Sequence, residues 1–134
     1  MQRFVDAQER VYPQALAELR AGKKLSHWTW FVFPQIAGLG RSSTAQFYDL
    51  ADRAEAQSYA WHPLLGPRLV ECTQAMLGWA GKRDAERILG LVDALKFGSS
   101  MTLFEACADD PAPFAAALDA FCGGERDKAT LERL

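Results

Sequence analysis

The residues best suited to chemistry fall in three stretches. The first is Ser26-His27-Trp28-Thr29-Trp30-Phe31-Val32-Phe33-Pro34-Gln35, which runs on into Ile36-Ala37-Gly38-Leu39-Gly40-Arg41-Ser42-Ser43. Its histidine, with an unperturbed pKa near neutrality, is equipped for general acid–base work. The faces of Trp28 or Trp30 are equipped to stack on a planar ligand. The same aromatics also suit a core plug, which is the commoner fate of any one of them. Gly38-x-Gly40-Arg41-Ser42-Ser43 precedes a helix expected near Thr44. Glycines permit close backbone approach, a helix N-terminus offers free N–H groups, and Arg41 adds a positive fork, the parts of an anion cradle. The spacing is neither the dinucleotide fingerprint nor a Walker loop. An ordinary glycine-rich turn with a serine cap would use the same residues.

The two histidines are His27 and His62. His62 precedes Pro63, where its side chain can cap a helix. No HxxxH or HExxH pair exists, so no metal site is expected, and no cofactor is expected either. The third stretch, Asp93-Ala94-Leu95-Lys96-Phe97-Gly98-Ser99-Ser100-Met101-Thr102-Leu103-Phe104, sets a lysine and three hydroxyls around an expected helix start. Structurally these are caps; functionally, Lys96, Ser99 and Ser100 form a second anion-recognising lip. Lys96 precedes both serines, so Ser-x-x-Lys spacing is missing, and no GxSxG elbow occurs.

Helices must position these stretches. Tyr12, Ala15, Leu16 and Leu19 share one helical face, with Gln14, Glu18 and Arg20 pointing away; Pro13 suits the first turn and Gly22 the end. Asp52 and Glu55 have capping-box spacing, as do Thr102 and Glu105. The longest helix is expected from Pro63, its buried stripe being Leu65, Leu69, Cys72, Met76 and Trp79. Ala85, Ile88, Leu89, Val92 and Leu95 keep the same period, which Gly90 can break in two. Phe114, Leu118 and Phe121 form a further stripe, and a last short helix follows Asp127. Thr29–Phe33 suits either a strand or one buried helical turn, and nothing supplies partner strands. The expected fold is all-α, a single irregular domain over 1–134 with seven or eight mostly short helices.

Composition narrows the function classes. Hydrophobic residues make up 49% of the 134, enough for a core and too many for disorder. A net charge of −2 gives no bulk attraction to nucleic acid or anionic membrane. No apolar run reaches the roughly 18 residues of a membrane span. The N-terminus lacks signal-peptide layout, and Cys72, Cys107 and Cys122 lie in apolar-periodic stretches, so reduced, buried thiols in a cytoplasmic protein are expected.

Three motifs in order carry a resemblance: Ser26-His27-Trp28-x-Trp30-Phe31-x-Phe33-Pro34-Gln35-Ile36-x-Gly38-Leu39-Gly40, His62-Pro63-x-Leu65-Gly66-x-Arg68-Leu69-x-Glu71-Cys72, and Lys96-x-x-Ser99-Ser100-Met101-Thr102-Leu103-Phe104. From Phe4 onward the chain resembles the bacterial domain-of-unknown-function family 1810, some members of which carry the label "calpastatin". Inhibitors of that kind are long and disordered, whereas this composition is globular. The resemblance implies a small multihelical fold that brings the motifs together, and it implies no reaction. Phe97 and Gly98 depart from the family pattern of leucine followed by a polar or basic residue.

Polar residues recurring beside aromatics are more than a core requires. They point to a site for a small anionic or phosphorylated metabolite, a nucleotide among the candidates. His27, Gln35, Arg68, Lys96 and Ser99 are expected to converge, with Trp30, Gly38, Gly40, Arg41, His62 and Ser100 around them, because buried polar groups must find partners. The alternative is a helical protein-interaction module with an exposed aromatic surface, and a third possibility confines the polar groups to structural roles.

Overall fold

Helix appears wherever apolar residues recur at three- and four-residue steps. The computed structural model describes residues 1–134 and contains ten helices and no strand. They are α1 (Gln2–Gln8), α2 (Tyr12–Ala21), α3 (Thr29–Val32), α4 (Ser43–Tyr48), α5 (Arg53–Trp61), α6 (Leu65–Leu77), α7 (Ala85–Leu89), α8 (Leu91–Cys107), α9 (Ala112–Phe121) and α10 (Lys128–Glu132). The all-α expectation holds, with more helices than foreseen. Helix α1 has only Phe4 and Gln8 buried, too short a stripe to read. Helix α3 is the single buried turn allowed for Thr29–Phe33. The nearest approach to a sheet is one isolated bridge between Ile36 and Leu50.

Local signals set most helix ends. The Asp52 carboxylate accepts from Glu55 N–H at 2.9 Å, while Glu55 Oε1 reaches back to Ala51 N–H at 3.1 Å. Ser42 caps α4 and Asp84 caps α7. Gly22 ends α2 at φ 75°, and Gly90, at φ 89°, separates α7 from α8. The Thr102–Glu105 pair does not start a helix, because both lie deep inside the 17-residue α8. Phe97 and the run from Ser99 to Phe104 are buried there, and that packing overrides the weak local cap signal at Gly98-Ser99-Ser100. Thr102 Oγ1 instead donates to the Gly98 carbonyl and accepts from Asp127 N–H.

Twenty-seven buried residues form one hydrophobic cluster, with α8 packed against α5, α7, α9 and α10. In α6, Leu65, Leu69, Cys72 and Met76 face inward as the periodicity predicts. This helix starts at Leu65 rather than Pro63 and ends at Gly78, so Trp79 lies just beyond it, half-buried. The indole packs over Gly22, where a Cβ would meet Trp79 ring atoms at 2.6 Å, and its N–H donates to the Leu19 carbonyl at 2.9 Å. Trp79→Ala is expected to cost about 2–4 kcal/mol in urea unfolding, from lost packing plus loss of the second of two hydrogen bonds to the Leu19 carbonyl, which keeps the one from Gly22 N–H. A loss below about 1 kcal/mol would show that this closure of α2 on α6 contributes little.

Two expectations from periodicity fail. Glu18, placed outward with Gln14 and Arg20, is only 3% exposed. Val92 and Leu95 do not continue the buried stripe of Ala85, Ile88 and Leu89; they are exposed, because the turn at Gly90 resets the helical register. The three cysteines are unpaired, and Cys72 and Cys107 are buried. Burial pushes the Cys72 thiol up to about 12, which keeps it protonated. No helix is long and apolar enough to cross a membrane.

Candidate functional site

Much of the motif polarity is consumed internally. Ser26 and Trp28 both turn to Glu18, whose Oε1 accepts from Leu25 N–H (2.8 Å), Ser26 N–H (3.0 Å) and Trp28 Nε1–H (2.9 Å). Its Oε2 accepts from Ser26 Oγ–H (2.6 Å) and Gln14 Nε2–H (2.8 Å). Burial alone would push this carboxyl up, but the donors more than offset it and hold Glu18 at about 2. The loop between α2 and α3 is therefore folded around one carboxylate.

The other candidates divide by partner. His62 Nδ1 accepts from Leu64 N–H (3.1 Å) and Leu65 N–H (3.2 Å), so His62 is the cap of α6. Arg68 lies over the Tyr12 ring at 4.4 Å and donates to Gln8 Oε1 at 3.4 Å. Gln8 in turn donates to the Phe31 carbonyl and the Tyr59 hydroxyl. That buried network ties α1, α5 and α6 to α3 and gives Arg68 a structural employment. Ser99 Oγ donates to the Leu95 carbonyl and meets Asp127 Oδ2 at 2.9 Å. Ser100 is fully buried, its Oγ without a partner.

The glycine loop is filled by the chain itself. Gly38, at φ 98°, lies under Arg133, whose Nε would sit 2.6 Å from an added Cβ. A Cβ on Gly40 would meet that of Ala45 at 2.5 Å. Ser42 spends its Oγ on Ala45 N–H, and Arg41 points outward, exposed. The glycines serve packing between the loop, α4 and the C-terminus, and no open cradle is formed over them.

What is left over converges. Trp30, Gln35, Gly40 and Lys96 line one narrow cleft with Phe33, Ile36, Ala45, Tyr48 and Asp49. The Lys96 ammonium lies over the Trp30 ring, 5.1 Å from its centroid, and the His27 ring is 6.5 Å from that of Trp30 on the exposed rim. Trp30 Nε1 is buried and has no hydrogen-bond partner. The Gln35 carbonyl is taken by Leu50 N–H, a backbone bond that fixes the residue at the cleft. Thus Trp30, Gln35, Gly40 and Lys96 come together, His27 lies beside Trp30 outside the lining, and Gly38, Arg41, His62, Arg68, Ser99 and Ser100 are not among the cleft's lining residues. The cleft holds about 10 Å³, room for roughly one water molecule.

Residues that local patterning did not single out complete the electrostatics. Asp93 Oδ2 pairs with Lys24 Nζ at 2.8 Å, and its Oδ1 lies 4.0 Å from Lys96 Nζ, so two ammoniums share one carboxylate. Lys24 also lies over the buried Trp28 ring at 5.2 Å. The i,i+3 spacing of Asp93 and Lys96 was a readable signal; the pairing of Asp93 with Lys24, from the loop after α2, was not. On the cleft's other side, burial pushes the Asp49 carboxyl above its ordinary value, Arg3 opposes this, and Glu55 adds to it.

The chain is similar to a conserved hypothetical protein, Rv1873 from Mycobacterium tuberculosis, known from a crystal structure at 1.38 Å. Identity is 47%, the match covers 99% of this chain and 94% of that one, and the TM-score is 0.95. No curated protein matches the chain. A model of a family of proteins of unknown function, DUF1810, matches residues 1–134, and the chain belongs to that family.

Proposed function

We propose that the protein binds a small anionic ligand at the Trp30–Lys96 cleft. The observation that carries this reading is the pairing of two groups that can only donate. The Trp30 indole N–H is buried without an acceptor, and the Lys96 ammonium on the same ring has its carboxylate neighbour only at 4.0 Å. Neither group can accept, so together they call for an acceptor such as a phosphoryl or carboxylate oxygen. A cleft of this size admits one oxygen rather than a whole metabolite. The anionic head enters, and the body of the ligand lies on the exposed side of Trp30 beside His27. His27, at the rim, is the candidate proton carrier if a reaction follows.

The test is a thermal-shift and calorimetric titration with inorganic phosphate, sulfate and nucleoside monophosphates. A ligand at 100 times its Kd adds about 2.7 kcal/mol of stability, a shift of several degrees in a domain of this length. Lys96→Ala and His27→Ala are expected to abolish the shift; exposed His27 should leave the free protein's Tm nearly unchanged, and Lys96→Ala should lower it only slightly, through its Trp30 and Asp93 contacts. Retention of the full shift by Lys96→Ala would sink the proposal. A large loss of intrinsic stability in His27→Ala would mark that residue as structural.

A further inference from the structure

We propose that a second, separate surface takes a basic amphipathic segment of a protein partner. Leu91, Val92 and Leu95 are 61%, 63% and 68% exposed on the first turns of α8. They form an aliphatic ridge that no element of the chain covers, and exposed leucines clustered in this way mark interaction surfaces. Leu91 and Leu95 stand one helical turn apart and form one wall of an open groove of about 720 Å³. Phe121 and Cys122, at the end of α9, line the same groove.

The polar lining indicates what fits. Asp84 and Glu86 lie at the start of α7, and Glu125 and Asp127 lie in the segment before α10. Two cations share the groove, Arg126 and Lys128. Arg126 is already committed, through Nε to Glu105 Oε1 at 2.8 Å, through Nη2 to Glu105 Oε2, and to Asp119 at 3.6 Å. Asp84 is held by a backbone N–H and Asp127 by hydroxyls, and neither is paired with a cation. The groove is therefore apolar along its wall and net acidic along its length. Its complement is a helix or extended segment with apolar residues one turn apart, flanked by lysine or arginine. A second copy fits less well, because a twofold pairing through this face would bring Glu86 and Glu125 towards acids of the same kind.

The probe is a synthetic leucine–lysine amphipathic peptide titrated into the full chain, with its leucine–glutamate counterpart as control. Amide chemical shifts are expected to change in Leu91–Ser99 and Phe121–Lys128 with the lysine peptide, and affinity is expected to fall as salt is raised. Leu95→Ser and Glu125→Lys are each expected to weaken binding at least tenfold. Trp61→Ser, which removes an exposed aromatic outside the groove, is expected to leave it unchanged. Because all three positions are exposed, the variants should fold. The proposal is overturned by equal binding of the glutamate peptide, by shifts spread over the surface, or by equal weakening in Trp61→Ser. No binding at millimolar peptide would overturn it too, as would a dimer in sedimentation that Leu95→Ser dissolves.

Discussion

Glu18→Ala is expected to destabilise the protein by about 3–5 kcal/mol, the range for removing one partner from a buried, charge-assisted cluster. Five donors converge on its two oxygens, and three of them, the Leu25 and Ser26 N–H groups and the buried Trp28 indole, are fixed by the Leu25–Trp28 loop. Glu18→Gln should recover part of the loss, because its amide oxygen can keep the Leu25, Ser26 and Trp28 N–H donors while the Ser26 hydroxyl and a flipped Gln14 amide accept from the new NH₂, but the charge is gone. The pH dependence has a definite sign. The folded-state carboxyl lies at about 2 against an ordinary 4.5, so its contribution is fully present above about pH 5 and is lost as the pH falls from 4.5 towards 2. Urea unfolding of the natural chain should weaken through that window, and Glu18→Gln should flatten the slope there. An unchanged slope in the variant would show that another group governs acid sensitivity. The same substitution should also disturb the Trp28 and Trp30 environments in near-ultraviolet circular dichroism, since the loop is what delivers His27 and Trp30 to the cleft.

Gly66→Ala should be nearly as damaging although it adds one methyl group. A Cβ at Gly66 would lie 2.2 Å from the Ala60 carbonyl oxygen and 3.1 Å from its carbon. Both are backbone atoms in the last turn of α5, so no rotamer change relieves the clash; α5 and α6 must move apart. About 2–4 kcal/mol is expected, by analogy with overpacked cores, which lowers Tm by roughly 10 °C in a chain of this length. Gly81→Ala is the control: it also sits near a helix end, at φ 75°, but with open space around it, so only the left-handed backbone strain of about 1 kcal/mol applies. Equal losses in the two variants would show that α5 and α6 do not approach as closely as the structure has them.

The helical fold was legible in the sequence because it rests on local rules. Periodicity located the buried side of α6, Asp52 and Ser42 marked real helix starts, and Gly22 and Gly90 marked real breaks. The exclusion of a membrane-spanning helix followed in the same way. Tertiary packing decided the rest. Thr102 and Glu105 carry a helix-start pattern inside α8, because burying the residues from Ser99 to Phe104 outweighs a cap. Glu18 looks like a solvent-facing residue on α2 until the following loop folds back over it, and nothing in α2 alone foretells five donors. The candidate site shows the same division. His27, Trp30, Gln35 and Lys96 were nameable from residue type and motif, and so were Arg68, His62, Ser99 and the glycines. Only the fold separates the first group, left with unspent hydrogen-bonding capacity around one ring, from the second, spent on caps, a buried network and close packing. A sequence lists donors and acceptors, but which are satisfied depends on neighbours tens of residues away, such as Gln8 with Arg68 and Lys24 with Asp93.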